Sequence, residues 1–284
     1  MDGITVKAPA KLNLFLEVGE RMADGYHKIE SIMQSVTLYD TLTVRKAERG
    51  VQFDCSSKKL VYDGNLVISA SRLFFAESGI KSGVTVYLDK KIPVSAGLGG
   101  GSSDAAATLT ALNGLYGNPF TRQELYALGK RLGADVPFCI KKGLCRASGI
   151  GDVLQSLPPL PPCAFVIAKG NTTVCTRAAF ELMDKHDKRI IKSSDEMMLA
   201  VKNGDLEGVC GCLYNAFEIN GSCDDVIKRI MKQNNAYNAL MSGSGPSVFG
   251  VFKDVSDAER AEAALKAEGY LCFVCLPEEN NPEG

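Results

Sequence analysis

Three consecutive glycines at 99–101 separate a stretch that alternates like a β-strand (84–88) from one with apolar residues at helical spacing (105–116). Because glycine has no Cβ, a ligand can approach its backbone closely, and several N–H groups can then face one anion. A helix that begins near residues 102–104 would add its unpaired N–H groups and the positive end of its dipole. Residues 93–107 therefore predict a strand end, a phosphate-binding loop and a helix in succession.

The same glycines could instead belong to a flexible linker. Linkers are usually rich in glycine and serine on both sides, whereas both flanks of this run show the periodicity of ordered elements. The Walker A pattern G-x-x-x-x-G-K-[ST] is absent, and residues 97–102 fail the dinucleotide pattern G-x-G-x-x-G/A at its last position. We therefore favour an anion-binding loop of another kind.

Capping signals mark the beginnings of several helices. Asn65 precedes a segment with helical periodicity that ends at Gly79, and Thr121 and Ser256 each have a glutamate three residues later, as in a capping box. Strands are predicted at 4–18, 36–45, 84–89, 164–168, 248–253 and around 272–275, and further helices at 174–186, 194–202, 205–212 and 222–233. This mixture predicts the α+β fold class.

Four prolines among residues 157–162 form the clearest break in the chain. A length of 284 residues is enough for two domains of ordinary size. We therefore predict an N-terminal domain at 1–157 and a C-terminal domain at 158–284.

Charge and hydropathy limit the kinds of partner. The formal net charge is −1, which does not indicate a nucleic-acid surface. No apolar run is long enough to cross a bilayer, and the N-terminus enters a strand pattern without a signal or transit segment. We expect a cytoplasmic protein with no nucleic-acid and no membrane partner, which binds a small anionic ligand; no sequence feature predicts an oligomeric state.

The ten cysteines are scattered, mostly within apolar segments, where free cysteine packs as a small hydrophobe. A disulfide framework is not expected in a chain without a secretion signal. The single C-x-x-C pattern at 272–275 has no second cysteine pair, and the chain has two histidines. We therefore predict no metal site from these residues.

Lys11 and Asn13 lie on one face of the first predicted strand, and the opposite face is continuously apolar. That pattern favours a central strand, in which a lysine needs a partner or a cavity, over an exposed strand lysine. Asp135 precedes an apolar segment, which indicates partial burial, although a turn aspartate is a common alternative. The residues alone do not establish a pairing of Lys11 with Asp135.

Two further segments have two interpretations each. Residues 241–247, rich in glycine and serine, form either a hairpin loop or a second backbone surface next to the first loop. The segment Asp24-Gly25-Tyr26-His27 is typical of a turn, but Tyr26 and His27 could offer a stacking face and a hydrogen-bonding edge to a base. Spacing alone favours the turn.

Taken together, the segments 8–16, 24–27, 93–107, 133–138 and 240–247 resemble the GHMP kinase superfamily. Their order and spacing cover nearly the whole chain. The long glycine run and the Asp-Gly-Tyr-His segment resemble the branch whose alcohol substrate carries a cytidine diphosphate, rather than the mevalonate, homoserine or galactose kinases.

The resemblance implies an N-terminal domain like the second domain of ribosomal protein S5, a ferredoxin-like C-terminal domain and an active site between them. It implies ATP-dependent phosphorylation of the 2-hydroxyl of cytidine-diphosphate-linked methylerythritol, in non-mevalonate isoprenoid biosynthesis. ATP with Mg²⁺ would be the phosphoryl donor, and the alcohol would be a small-molecule substrate.

The resemblance also implies roles for individual residues. Asp135 matches the catalytic base and Lys11 the lysine that pairs with it, while Asn65 resembles a contact to adenosine. The ATP loop corresponds to Pro93, Val94, Ser95, Ala96, Gly97, Leu98, Gly99, Gly100, Gly101, Ser102 and Ser103. The substrate contacts correspond to Asn13, Tyr26, His27, Thr176 and Phe180, where His27 reads the cytosine between Tyr26 and Phe180. Ser102 or Ser103 could offer a hydroxyl to Mg²⁺, and no residue is assigned as a metal ligand.

The sequence leaves other functions open. The chain could be another GHMP small-molecule kinase, acting on mevalonate, a sugar or homoserine, and the cytidine-binding residues distinguish these. It could also be a catalytically inactive nucleotide sensor on the same fold, against which the presence of Lys11 and Asp135 argues. A structural or interaction module has little support, since no heptad repeat or long charged face is visible.

Overall fold

The computed structural model describes residues 3–23, 25–170, 176–185, 192–220 and 224–279. The chain forms two compact units: unit 1 comprises Met1–Ala10, Leu38–Val94 and Gly99–Lys141, and unit 2 comprises Lys11–Thr37, Ser95–Leu98 and Lys142–Gly284. These units divide the chain differently from the predicted boundary at 157/158, which stays a prediction.

Strands and helices are interspersed along the chain. Among the described residues the strands are β1 (Gly3–Arg21), β2 (His27–Ala47), β3 (Gly50–Cys55), β4 (Gly83–Asp89), β5 (Leu144–Ser148), β6 (Val153–Ser156), β7 (Ala164–Lys169), β8 (Tyr214–Asn215), β9 (Asn238–Met241), β10 (Val248–Phe252) and β11 (Leu271–Cys275). The helices are α1 (Leu66–Ser78), α2 (Gly100–Leu115), α3 (Arg122–Leu132), α4 (Val136–Lys141), α5 (Thr176–Met183), α6 (Asp195–Lys202), α7 (Leu206–Gly211), α8 (Asp225–Gln233) and α9 (Val255–Ala267).

In unit 1, β4 lies between β3 and β2 in the order of its sheet. It pairs antiparallel with residues 41–47 of β2 and parallel with β3. Alternate residues of β4 are fully buried, as the period of two requires when one face of a sheet is covered. The helix α2 packs against α1, α3 and α4, so its alanine-rich sequence is surrounded by other helices.

Two helices of unit 1 begin and end as their sequences predict. The side chain of Asn65 accepts a hydrogen bond from the N–H of Val67, and α1 ends at Gly79 in a left-handed conformation. Thr121 and Glu124 form both hydrogen bonds of a capping box at the beginning of α3.

Unit 2 contains two groups of strands. In the first, β1 pairs with β8 in parallel, with Phe15 opposite Tyr214, while β5 pairs antiparallel with residues 31–34 of β2 and with β6. The second is an antiparallel sheet in the order β11-β7-β10-β9. Residues of α8 and α9, among them Ile227, Met231 and Leu265, are fully buried against this second sheet. The predicted strands at 164–168 and 248–253 therefore lie at its centre.

Several local predictions differ from the structure. The helix α2 begins at Gly100 rather than near 102–104, because its buried packing outweighs the poor helix propensity of glycine. The capping box predicted at Ser256 is wrong: Asp254 is the N-cap of α9, and Ser256 lies inside the first turn. The helix α4 and the hairpin of β5 and β6 were not predicted. Of the predicted helix at 174–186, residues 174, 175 and 186 lie outside the described residues.

The cysteine thiols that the structure describes are free, and most are buried. Burial raises the pKa of Cys163, Cys210 and Cys275 to about 12, so these thiols stay protonated and behave as apolar groups. Within the described ranges, no helix has both the length and the apolarity to cross a membrane.

Candidate active site

In unit 1, the helix α2 presents its N-terminus without a capping side chain. Its N-cap residue is Gly99, which has no side chain to bond the first N–H groups, and the N–H of Ser103 donates to the carbonyl of Gly99 at 2.9 Å. The hydroxyl of Ser103 is buried and has no hydrogen-bond partner among the described residues. An uncapped N-terminus with a buried polar oxygen is suited to an anion or to the cation that accompanies it.

The other predicted residues of unit 1 lie at helix beginnings. Asn65 is nearly buried, and its amide caps α1 and donates to the carbonyl of Leu60 at 3.0 Å. Asp135 lies immediately before α4, its carbonyl accepts the N–H of Cys139, and the residue is half-buried as its sequence predicts. The structure therefore gives Asn65 a capping role, and its contact to adenosine stays a prediction.

In unit 2, Lys11 and Asn13 lie side by side on β1. Both are almost fully buried, with 5% and 3% of their surfaces exposed, and β1 lies between β2 and β8 in the order of its sheet. The ammonium of Lys11 donates to Asn13 Oδ1 at 2.5 Å, and Asn13 Nδ2 donates to the hydroxyl of Ser31 at 2.9 Å. The prediction of a central strand with a partnered lysine is confirmed.

The second glycine- and serine-rich segment, 241–247, contacts residues 95–98 of the first loop. The hydroxyl of Ser242 donates to the carbonyl of Gly97 at 3.0 Å, and the N–H of Ser247 donates to the carbonyl of Ala96 at 3.3 Å. A Cβ on Gly97 would lie 2.1 Å from the carbonyl oxygen of Ser242, and φ there is +76°, so only glycine fits. The segment is thus both a loop between β9 and β10 and a second backbone surface next to the first.

Two residues that sequence reasoning missed hold this second segment. Asn215 Nδ2 donates to the carbonyls of Met241 and Gly243 at 2.7 and 2.8 Å, and Glu218 Oε1 accepts the N–H of Met241 at 2.6 Å. Asn215 is 2% exposed, and a buried amide needs such partners. The available signal was a polar residue between apolar neighbours at 213–217.

Ser242 also joins this segment to the strand of Lys11. Its hydroxyl lies 3.4 Å from the N–H of Asn13, while the N–H of Lys11 donates to the carbonyl of Leu98 at 3.0 Å. Unit 2 therefore brings together Lys11, Asn13, residues 95–98 and residues 241–247, which are far apart in the sequence. Thr176 reaches the same surface, since its hydroxyl lies 2.9 Å from that of Ser244.

His27, the first residue of β2, is held by two side chains of α5 and its C-terminal end. Its Nε2 lies 2.7 Å from Asp184 Oδ1, and because a carboxylate only accepts, Nε2 is the donor. Its ring stacks on Phe180, with centroids 5.0 Å apart and an angle of 22° between the planes. Asp184 was not predicted. His27 and Phe180, both predicted to contact cytosine, are neighbours in unit 2, and their role in binding cytosine stays a prediction.

Tyr26 lies in the turn that connects β1 to β2, and 58% of its surface is exposed. The N–H of Met22 donates to the carbonyl of Tyr26 at 2.7 Å, which closes the predicted turn. Asp24, in the same sequence segment, lies outside the described residues. The exposed Tyr26 and the buried His27 are consecutive in the sequence. The stacking role of Tyr26 stays a prediction.

Comparison with known proteins defines the class. The sequence model of the GHMP kinases N terminal domain matches residues 65–143, and that of the GHMP kinases C terminal domain matches residues 197–271. The glycine loop that opens α2 falls within the first match. Two domains of this kind define a GHMP kinase, a class of enzyme that uses ATP, and the predicted fold class is confirmed.

Relatives and a solved structure narrow this class. A 4-diphosphocytidyl-2-C-methyl-D-erythritol kinase from Alkaliphilus metalliredigens (strain QYMF) is 41% identical over 270 residues, which cover 92% of each chain. One from Lachnospira eligens (strain ATCC 27750 / DSM 3376 / VPI C15-48 / C15-B4) is 38% identical over 99% of this chain and 100% of its own. A crystal structure of a 4-(cytidine 5'-diphospho)-2C-methyl-D-erythritol kinase matches with a TM-score of 0.80 and 32% identity, over 97% of this chain and all of that chain. The chain belongs to the family of 4-diphosphocytidyl-2-C-methyl-D-erythritol kinases.

Proposed function

We propose that this protein transfers the γ-phosphoryl group of ATP to the 2-hydroxyl of 4-(cytidine 5'-diphospho)-2-C-methyl-D-erythritol, which gives the 2-phosphate and ADP. The observation that carries the proposal is the uncapped glycine N-terminus of α2, in a chain 41% identical to a kinase named for this substrate. The N–H groups of that N-terminus and the helix dipole attract the phosphates of ATP.

Phosphoryl transfer asks the protein mainly to position the reactants and to stabilise charge. Residues 93–103 hold the nucleotide phosphates, with the part at 95–98 supported by residues 241–247. The hydrogen bond from Ser242 to Gly97 and the hydrogen bonds from Asn215 to the second segment support this role. Residues 95–98 of the loop are therefore held by unit 2 before ATP binds.

Mg²⁺ fits the residues present. The buried hydroxyl of Ser103, which lacks a protein partner in the described part of the chain, would hold the ion together with the nucleotide phosphates. When bound, the ion neutralises negative charge on the phosphates. Ser102, one residue earlier, is the other hydroxyl of this turn.

Asp135 accepts the proton of the attacking hydroxyl in this proposal, and Lys11 supplies a positive charge that favours the ionised carboxylate and the developing alkoxide. The half-buried position of Asp135 supports the first role. The burial of Lys11, whose ammonium is oriented by Asn13, supports the second. Asn13 then lies next to Lys11, where it can contact the methylerythritol.

The cytosine is recognised by His27, with Tyr26 and Phe180 as stacking surfaces. The fixed ring of His27, held through Nε2 by Asp184, supports this role because an oriented ring offers its other nitrogen in one direction. Stacking on an aromatic ring contributes about 1–3 kcal/mol per base. Thr176 lies at the beginning of the same helix as Phe180.

A substrate panel tests the proposal. The purified protein is given ATP and Mg²⁺ with the cytidine-diphosphate alcohol, mevalonate, homoserine or galactose, and ADP release is measured. We expect turnover only with the cytidine compound. Turnover of another alcohol would instead identify a different GHMP kinase, and no ADP release with any alcohol would indicate a nucleotide-binding sensor.

A further inference from the structure

Unit 1 contains a buried group of three charged side chains that the proposed mechanism does not use. The ammonium of Lys90 lies 2.5 Å from Asp40 Oδ2 and 2.7 Å from Asp104 Oδ2. The side chains of Lys90, Asp40 and Asp104 are 7%, 0% and 5% exposed, respectively. We call Asp40, Lys90 and Asp104 the buried triad.

The buried triad joins the two ends of the glycine loop. At the first end, Asp40 Oδ1 accepts the N–H groups of Lys91 and Ile92, at 2.6 and 2.8 Å, directly before Pro93. At the second end, Asp104 lies in the first turns of α2, which begins at Gly100. Lys90 bonds to both carboxylates, so one ammonium connects the residues before the loop with the helix after it.

Gly100 allows this arrangement. A Cβ on Gly100 would lie 2.9 Å from the ammonium of Lys90 and 3.0 Å from Ile92 Cγ2. The absence of a side chain at Gly100 therefore lets the ammonium approach the first turn of α2 closely. The glycine run has a packing role here, in addition to the exposure of its N–H groups.

The buried triad is not explained by stability. Desolvation of buried charges costs several kcal/mol per ion, and replacing such groups with apolar side chains is often neutral or stabilising. Asp104 Oδ1 is buried with no hydrogen-bond partner in the part of the chain that the structure describes, which adds to the cost. Burial raises the pKa of Asp104 to about 7 despite the opposing charge of Lys90. Burial acts to lower the pKa of Lys90. The pKa is nevertheless raised, because the attraction of the two carboxylates for the ammonium outweighs the effect of burial.

We propose that Asp40, Lys90 and Asp104 are positioning residues, which fix the two ends of the glycine loop relative to each other and so set the affinity for ATP. This inference rests on the proposed role of residues 93–103 in holding ATP. Without the bridge, the loop samples more conformations, and ATP must select the competent one at a cost in affinity.

Asp104→Ala tests the proposal. It removes the bond between Lys90 and α2, leaves Lys90 and Asp40 as a neutral pair, and places a good helix former in α2. We expect KM for ATP and Kd for a non-hydrolysable ATP analogue to rise at least about tenfold, the equivalent of one lost charge-assisted hydrogen bond. KM for the alcohol and the melting temperature without ligand should change little. Asp104→Asn, which keeps an acceptor for Lys90, should restore most of the affinity.

The matched control is Asp54→Ala, which removes a carboxylate paired with Lys58 at the surface of the same unit. It should leave Kd for the analogue unchanged. If Asp104→Ala does not fold, it is replaced by a triple variant that has no charge at these positions: Asp40→Asn, Lys90→Met and Asp104→Asn combined in one protein. The triple variant should show the same loss of affinity for the ATP analogue.

Three results are distinguishable. Weaker binding in the variants with unchanged melting supports the proposal. Binding within about twofold of the unaltered protein overturns it and leaves the proposed function standing. If the unaltered protein itself binds no ATP analogue, the proposed function fails and this inference with it.

Discussion

At the residue scale, Lys11 shows how much a sequence pattern can predict about one side chain. Its position opposite a continuous apolar face indicated burial, and the structure gives 5% exposure. The partner within unit 2, Asn13, is two residues away on the same strand face, which the period of two also indicates. The sequence does not reveal the contact of Asn13 with Ser242, because 229 residues separate the two in the chain.

The role of Asp135 is testable by Asp135→Asn, which keeps the size of the side chain but cannot accept the proton. We expect kcat to fall by about 10²–10⁴, the usual contribution of a general base. Kd for an ATP analogue, measured by calorimetry, should be nearly unchanged. Asp54→Asn, at the exposed ion pair with Lys58, is the control. Turnover close to normal in Asp135→Asn would remove this carboxylate from the mechanism.

At the element scale, the beginnings of α1 and α3 were predictable because their capping residues are local in sequence. The beginning of α2 was not, since two glycines enter its first turn only through the packing of α2 against its neighbours. Glu30 illustrates a further contact between elements: it accepts hydrogen bonds from Arg146 of β5 and from Ser194 before α6.

That contact predicts a pH-dependent stability. Burial acts to raise the pKa of Glu30, but hydrogen bonds from Ser194 and Arg146 outweigh it, so the pKa lies below its usual 4.5. A lowered folded-state pKa adds stability above the unfolded value, and this is lost as the pH falls through the folded value. Glu30→Gln should therefore lower the free energy of unfolding by about 1–2 kcal/mol at neutral pH.

Urea unfolding of the two proteins between pH 3 and pH 8 provides the measurement. The difference in stability should shrink as the pH falls from about 4.5, where Glu30 of the unfolded chain becomes protonated, through the lower pKa that Glu30 has in the folded protein. Glu20→Gln is the control, because Glu20 pairs with Lys28 at the surface and such exposed pairs contribute little. A difference that is constant with pH would assign the effect to side-chain packing.

At the scale of the whole molecule, the proline-rich stretch at 157–162 indicated a boundary, yet the compact units do not follow the order of the chain. Residues 11–37 belong to unit 2 together with residues after 142. The core of Ala179, Met183, Phe217 and Met241 includes Leu16 and Val18 of β1. The core under the second sheet draws all of its residues from 164–272.

A fragment of residues 158–284 tests this difference. It keeps every residue of the core under the second sheet, so the amides of β7, β9, β10, α8 and α9 should exchange slowly. It lacks β1, the strand that pairs with β8, and the side chains of Leu16 and Val18. Residues 214–217 should therefore lose the protection that they have in the full chain, as measured by hydrogen exchange. Slow exchange of β8 in the fragment would contradict this.

The sequence by itself determined the α+β class, the glycine loop before α2, the burial of Lys11 and the family, because each depends on residues close together in the chain or on motifs in a fixed order. Only the tertiary structure revealed Asp184 beside His27, Asn215 bonded to the second loop and the buried triad at the two ends of the first. The hydrogen-bonded groups are 157, 28 and 50 residues apart in the chain. The local sequence around a polar residue does not say which distant group will be its hydrogen-bond partner. A buried polar group needs a hydrogen-bond partner, and the path of the backbone decides which residue lies close enough to provide one.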